Sequence, residues 1–167
     1  MEAVVELLLR WIHFSAGIVW IGHNYASVVQ QPAFRPLTRA DLVDGESAQF
    51  MSRLNREHGF FRYASIVTWL AGIGMLLQRG WLVDALLLRG ALVPIGIGMW
   101  IGTAMLLNLW LVLWPNQKKV LGFAPASVEQ RIACARTTFL ASRTNTMLSI
   151  PLLFFMAAGA HGGLLFG

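Results

Sequence analysis

The chain has 167 residues, of which 56% are hydrophobic and only 13% are charged. This composition excludes an ordinary soluble domain and predicts an integral membrane protein. The formal net charge of +5 is explained by orientation in a membrane and gives no reason to expect nucleic acid as a partner. Cys134 is the only cysteine, which excludes an internal disulfide, a zinc cluster of thiolates and a Cys-x-x-Cys-His haem attachment in this chain.

Four apolar stretches are long enough to cross a hydrocarbon core of about 30 Å, which takes about 20 residues of helix. They cover residues 11–29, 60–77, 91–114 and 146–163. No clear small-residue cleavage site follows the first stretch, so we expect it to remain in the mature protein. The predicted fold is an all-α bundle of four transmembrane helices, which forms a single domain over residues 1–167.

The connection after the first span begins with Pro32 and Pro36, which are expected to end the first helix. From about residue 44 onwards, Phe50, Met51 and Leu54 recur at helical spacing. This pattern predicts an amphipathic helix that lies on the membrane surface.

Two later segments also connect predicted spans. Residues 81–88 are too short to cross a membrane and contain Asp84, so a loop or an interfacial turn is expected there. Pro115 is expected to stop the third span. The helix is expected to resume near Ser127 and to run into the fourth span with a bend at Pro151.

The basic residues are divided unevenly between the two sides of the predicted bundle. If the spans alternate in direction, three of the 13 basic residues lie on the amino-terminal side and ten lie on the other. The three are Arg10, Arg79 and Arg89, and the ten are Arg35, Arg39, Arg53, Arg56, Arg62, Lys118, Lys119, Arg131, Arg136 and Arg143. The positive-inside rule places the ten in the cytoplasm, so both termini are expected in the periplasm.

The first span carries two histidines, His13 and His23, in an otherwise apolar stretch. On a helical wheel at about 100° per residue, both lie within an arc of roughly 120°. The same arc holds Ala16, Gly17, Trp20, Asn24 and Ser27. Because polar and small residues of membrane helices normally face the bundle, this face is predicted to point inward.

Depth in the membrane pairs each of these histidines with one from another part of the chain. His13 and His161 lie near the outer ends of the first and fourth spans, and His23 and His58 lie toward the cytoplasmic side. Two imidazoles from facing helices can hold a b-type haem. The same side chains can instead serve only as hydrogen-bonding residues, and their positions alone leave both interpretations open.

Other polar residues also fall at membrane depth. Asn108 lies well inside the third span and must find a partner on another helix, because an unsatisfied amide in lipid is costly. Gly98 and Gly102 form a small-xxx-small step that is typical of close helix packing. Arg143 and Asn145 lie at the cytoplasmic mouth of the fourth span, where Arg143 is expected to meet lipid phosphates; recognition of another anionic group is the alternative.

Four stretches of the sequence together touch all four predicted spans: RWIHFSAGIVWIG, EHGFFRY, GTAMLLNLWLVLWPNQKKV and SRTNTMLSIPLLFFM. In these stretches the chain resembles the membrane domain of bacterial cytochrome-c-linked urate oxidases, and WPNQKK and RTNT are the most specific parts. The chain departs from that family in being about half as long as the membrane domain and in having no Cys-x-x-Cys-His segment. A weaker resemblance, confined to W-x-H and the following W-x-G of the first span, is to the small membrane protoporphyrinogen oxidases.

The first resemblance implies a redox protein of the bacterial inner membrane that crosses it several times. It implies that His13 and His58 occupy the matching histidine positions and would be the metal ligands. The accompanying polar residues that it implies are Asn108, Asn116, Gln117 and Asn145. The second resemblance implies that haem b is bound through a histidine of the first helix.

We therefore expect an integral membrane redox subunit that binds b-type haem. It would pass electrons to or from a separate periplasmic cytochrome c or the other subunits of a larger membrane complex. Urate oxidation is implied by resemblance only, since the chain has no acid at membrane depth to act as a base. The alternative is a cofactor-free accessory subunit that stabilises a respiratory or photosynthetic membrane complex.

Overall fold

A computed structural model of the chain describes residues 1–43 and 61–160, and every regular element in these residues is a helix. The prediction of an all-α fold is therefore confirmed for this part of the chain. The amphipathic helix expected from residue 44 onwards lies outside the described residues, as do His58 and His161.

The first long helix, α1, spans Glu2–Gln30 and is followed directly by Gln31 and Pro32. The expectation that the prolines end this helix is confirmed, since proline cannot continue the backbone hydrogen-bond ladder. A short helix, α2, spans Arg39–Val43 and was not expected from the sequence. It begins at a capping box in which the Thr38 backbone N–H donates to Asp41 Oδ2 at 2.8 Å.

The second long helix, α3, spans Phe61–Gln78 and packs along α1. It is followed by a short helix, α4, over Leu82–Leu86. The expectation of a loop or turn in this segment is therefore corrected to a short helix with a turn on each side. The reason is packing: Ala85 is fully buried, and Gly96 has no side chain to collide with the Ala85 carbonyl.

The next helical segment is continuous but irregular. It opens with a 3₁₀ turn over Gly90–Leu92, continues as α5 over Val93–Leu107, widens into a π-helix over Asn108–Leu113, and ends as α6 over Trp114–Val120. The expectation that Pro115 stops the third span is wrong. Pro115 lies in the first turn of α6, directly after the π-helix, where a missing N–H is tolerated.

The last helix, α7, spans Val128–Ala160 without interruption and contains Pro151. Its start is fixed by a second capping box, in which Ser127 N–H donates to Gln130 Oε1 at 3.0 Å and Gln130 N–H donates to Ser127 Oγ at 3.2 Å. The predicted helix start at Ser127 and the continuous run into the fourth apolar stretch, as far as Ala160, are confirmed, and the bend at Pro151 stays a prediction.

The helices α5 and α7 pack closely through glycines. A Cβ atom at Gly98 would lie 2.9 Å from Met156 Cε, and one at Gly102 would lie 3.6 Å from Leu152 Cδ1. The small-xxx-small step therefore does bring two helices together, as expected from the sequence.

All four long helical segments contribute to one buried cluster, formed by Trp20, Ala64, Met105 and Leu152. Among the described residues, two segments are long and apolar enough to cross a membrane, namely Glu2–Gln30 and Gly90–Val120. This finding supports the prediction that the chain is a membrane protein. The predicted number of four spans stays a prediction.

Candidate functional site

The inward face predicted for α1 is confirmed. Trp20 and Asn24 are 4% and 7% exposed, whereas Ile12 and Val29 on other faces are exposed. His13 and His23 are half-buried on the same inward side. They are ten residues apart, which is about 15 Å along a helix axis at 1.5 Å per residue, so they cannot share one ligand atom or one iron.

The His13 imidazole is held against α3. Its Nδ1 lies 2.7 Å from the backbone carbonyl oxygen of Thr68. Because a carbonyl can only accept, Nδ1 must carry the hydrogen in this contact, which leaves the lone pair of a neutral ring on Nε2. This is the arrangement in which metal-binding histidines are normally oriented, with one ring nitrogen donating to a carbonyl and the other turned to the metal.

Gly72 makes this approach of the His13 ring to α3 possible. A Cβ atom at position 72 would lie 3.0 Å from His13 Cε1 and 3.2 Å from His13 Nδ1. These distances are shorter than ordinary carbon–carbon contacts. The notch between Thr68 and Gly72 therefore fixes the position and the rotamer of His13.

His23 lies ten residues after His13 on α1. It lines a cleft that is formed by residues of α1, α3, the π-helix, α6 and α7. Its ring stacks on Phe61, with the two centroids 4.1 Å apart and the planes 7° from parallel. We call this cleft the Arg62 cleft; its polar and aromatic lining consists of Trp20, His23, Asn24, Phe61, Arg62, Trp114 and Ser142.

Three side chains that line the Arg62 cleft each have a buried N–H group without an acceptor in the described part of the chain. The groups are Trp20 Nε1, Asn24 Nδ2 and Arg62 Nε. Leaving such a donor unsatisfied costs about 1–3 kcal/mol. Native structures rarely leave buried donors unpaired, so three at one cleft mark a place where an acceptor from outside the protein is expected.

The unpaired indole of Trp20 is unusual within this bundle. Trp69 Nε1 donates to Thr103 Oγ1 at 2.9 Å, Trp100 Nε1 donates to the Leu86 carbonyl at 3.1 Å, and Trp110 Nε1 approaches Ser65 Oγ at 3.4 Å. These three tryptophans therefore have acceptors, whereas the buried indole N–H of Trp20 has none among the described residues.

Arg62 is held rigidly at the cleft by two aromatic rings. Its guanidinium carbon lies 3.7 Å from the Trp114 ring centroid and 4.7 Å from that of Tyr63. Its Nη2 donates to the Tyr63 hydroxyl at 3.1 Å. Among the described residues, no carboxylate lies within ion-pair distance of Arg62. The cleft thus combines one positive charge with several hydrogen-bond donors.

The predicted partner of Asn108 lies on α7. Asn108 Nδ2 donates to Asn145 Oδ1 and to the Ala141 carbonyl, both at 2.8 Å. Asn145 Nδ2 in turn donates to the Met105 carbonyl at 3.2 Å, and Asn145 is only 1% exposed. The expectation of an interhelical partner for Asn108 is confirmed, and these two residues of the predicted polar set join the π-helix to α7.

The rest of the predicted polar set is not brought into this cluster. Asn116 Nδ2 donates to the Val112 carbonyl of its own helical segment at 2.8 Å. Gln117 is 2% exposed, and its Nε2 has no acceptor among the described residues. Arg143 donates to the Gln31 carbonyl at the end of α1 and stacks on Phe139. In the fold it therefore caps the carboxyl end of α1, and the expected contact with lipid phosphates stays a prediction.

Sequence reasoning placed Trp20 and Asn24 on the inward face but assigned them no role, and it treated Arg62 only as one of the basic residues. What distinguishes Trp20, Asn24 and Arg62 is that their N–H groups lack acceptors in the described part of the chain. The order of residues in the sequence does not contain this information. In the described residues, no three His, Cys, Asp or Glu side chains lie together as a metal site. A haem held by two histidines needs only one imidazole from each of two helices.

Comparison with known proteins assigns the chain to no family. No protein-family model, curated protein or solved structure matches the chain.

Proposed function

We propose that this protein is a membrane redox subunit that binds b-type haem and exchanges electrons with a separate cytochrome or a larger membrane complex. The observation that carries the proposal is the geometry of His13, whose Nδ1 is bound to the Thr68 carbonyl at 2.7 Å. The resemblance to membrane urate oxidases, read from the sequence, supports the same class of function.

The proposed placement is a four-span bundle in the bacterial inner membrane with both termini in the periplasm. Besides the two long apolar segments, α3 and α7 also expose large apolar side chains on their outer surfaces. On α3 these are Val67, Leu70 and Leu77, and on α7 they are Met147, Ile150, Leu153 and Phe154. Exposed apolar surface of this extent is suited to lipid and unsuited to water. The division of the basic residues supports the orientation.

The described residues around His13 are compatible with a b-type haem that uses His13 as one of its two ligands. The neutral ring offers an Nε2 lone pair, and the Thr68 carbonyl and Gly72 hold the ring in place. The second ligand would come from another histidine: His161 by depth in the bundle, or His58 by the family resemblance. His23, the fourth histidine of the candidate set, stacks on Phe61 and would serve a site with His58.

When bound, a b-type haem would supply one-electron oxidation and reduction. The chain's own contribution is to hold the ligand imidazole in one tautomer and to keep water away from the bundle interior. If His13 were a ligand, its hydrogen bond to the Thr68 carbonyl would raise the basicity of the coordinating nitrogen and so favour the oxidised iron. Since Cys134 is the only cysteine, a covalently attached haem c would have to lie outside these 167 residues.

A cofactor-free accessory subunit is the second candidate, and the hydrogen bonds within the bundle favour it. His13, Asn108 and Asn145 all have partners inside the protein. These bonds would hold the helices together whether or not a cofactor is bound. Urate oxidation has no further support from the described residues.

The deciding experiment is a reduced-minus-oxidised absorbance spectrum of the full chain, purified from membranes with its partners. We expect a Soret band that is lost in His13→Ala. His23→Ala, His58→Ala and His161→Ala then identify the second ligand, because one cross-helix pair should lose the band while the other keeps it. A colourless, metal-free wild-type preparation with its partners intact would establish the accessory subunit instead.

A further inference from the structure

We propose that the Arg62 cleft binds a phosphate group, supplied either by a lipid head group or by free phosphate. His23 lines the same cleft, but this inference uses no histidine as a ligand and does not require a haem. It rests on three side chains, Trp20, Asn24 and Arg62, that line one cleft and each carry a buried N–H donor without an acceptor in the described part of the chain.

The donors come from two helices and belong to side chains that the fold holds in place. Trp20 and Asn24 are more than nine-tenths buried on α1. Arg62, at the start of α3, is fixed by its contacts with Trp114 and Tyr63. Because these side chains are ordered before any ligand arrives, binding costs little additional conformational entropy.

The chemistry of the lining selects an anion that accepts several hydrogen bonds. Among the described residues, no aspartate or glutamate lines the cleft, so none of them offers the Arg62 charge a counter-charge there. A second positive charge, on Lys118, also lies near Trp114, with its Nζ 5.9 Å from the ring centroid. A guanidinium stacked on an aromatic ring keeps its in-plane N–H groups available, which is the geometry that suits phosphate oxygens.

A phosphate matches this arrangement better than a water molecule. Its oxygens can accept hydrogen bonds from several directions, and its charge offsets that of Arg62. A water molecule accepts fewer bonds, needs acceptors for its own hydrogens, and leaves the guanidinium uncompensated.

The test measures binding to the full chain in an uncharged detergent at constant ionic strength, by titration calorimetry. One arm uses inorganic phosphate, and a second uses short-chain phosphatidylglycerol. Saturable binding in the first arm alone identifies free phosphate, binding in the second alone identifies the lipid head group, and binding in both identifies a general phosphate site. Each of these three results supports the proposal if the variants respond as follows.

Arg62→Gln should weaken binding at least about tenfold, because a charge-assisted hydrogen bond is worth about 1.5–3 kcal/mol. Trp20→Phe keeps an aromatic side chain but replaces the indole by a smaller ring without an N–H, and should weaken binding about two- to tenfold. Arg136→Gln is the matched control, since Arg136 is exposed and away from the cleft. It removes the same charge and should change binding less than about twofold.

The proposal is overturned if neither phosphate source binds saturably, in which case ordered water satisfies the donors. It is also overturned if Arg136→Gln weakens binding as much as Arg62→Gln, because the effect would then be one of net charge. Should Arg62→Gln fail to fold, the comparison of Trp20→Phe with Arg136→Gln decides the question. None of these readouts depends on a Soret band, so failure here is distinct from failure of the redox proposal.

Discussion

At the scale of single residues, the contact between His13 and Gly72 gives the sharpest prediction. Gly72→Ala places a methyl group 3.0 Å from His13 Cε1 and should push the ring away from the Thr68 carbonyl. Gly74→Ala is the matched control, because its Cβ would lie 3.4 Å from the flexible end of Leu9. Both variants gain the same helix propensity, so their difference isolates the clash.

We expect Gly72→Ala to be less stable than Gly74→Ala by about 1–3 kcal/mol, the usual cost of overpacking. Thermal unfolding in detergent measures this difference. Nitrogen NMR of the imidazole should also show loss of the Nδ1–H hydrogen bond in Gly72→Ala alone. Equal stability together with unchanged imidazole signals would show that His13 does not depend on this notch.

The amide pair Asn108 and Asn145 allows a second prediction at the same scale. Asn108→Leu should cost about 0.6–1.7 kcal/mol, the range for hydrogen bonds between membrane helices. Because Asn108 donates to Asn145 Oδ1, a double-mutant cycle with Asn145→Leu should show a coupling of at least about 0.5 kcal/mol.

The control for this cycle is Asn116→Leu, since the Asn116 amide bonds only to Val112 of its own segment. The effects of Asn116→Leu and Asn145→Leu should add. If Asn108 and Asn145 behave just as additively as this control pair, the two amides do not interact.

At the scale of elements, the capping box of α2 predicts a pH dependence. The Asp41 pKa is held below its ordinary value, first by the Thr38 hydroxyl, then by the Thr38 backbone N–H, and less by the charge of Arg35. Because the pKa is lower in the folded state, the carboxylate stabilises α2 above the ordinary Asp pKa of about 3.9. This stabilisation is lost as the pH falls through the lowered value.

Thr38→Val removes the hydroxyl, which donates to Asp41 Oδ2 at 2.7 Å, but keeps the backbone donor. We expect the Asp41 titration midpoint, followed by carboxyl NMR, to rise more in Thr38→Val than in Arg35→Gln. A larger rise in Arg35→Gln would mean that charge, and not the cap, controls this carboxyl.

At the scale of the whole molecule, the proposed topology predicts which surfaces are reached from each side. In a Cys134→Ala background, Ala33→Cys and Asp84→Cys place single thiols at exposed positions after α1 and within α4. Since the positive-inside rule puts the connection after α1 in the cytoplasm, a membrane-impermeant reagent should label position 84 in intact cells and position 33 only after lysis. Labelling of position 33 in intact cells would reverse the orientation.

The sequence by itself determined the class of the protein and the course of its long helices. Apolar composition and helical periodicity act over neighbouring residues, so they predicted the helical fold, the inward face of α1 that carries Trp20 and Asn24, and the helix start at Ser127. The same local reasoning failed at Pro115. A proline normally breaks a helix, but here it follows a π-helix in which the regular hydrogen-bond ladder is already altered, and the helical segment continues past it.

Only the tertiary structure decided which polar groups have partners and which do not. The bond from His13 to Thr68 spans 55 positions in the chain, and that from Asn108 to Asn145 spans 37. Partners so far apart depend on how the helices are packed, and the local pattern does not contain this information. The unpaired donors of the Arg62 cleft could likewise be recognised only in the tertiary structure. A missing acceptor can be identified only after every neighbouring helix has been placed.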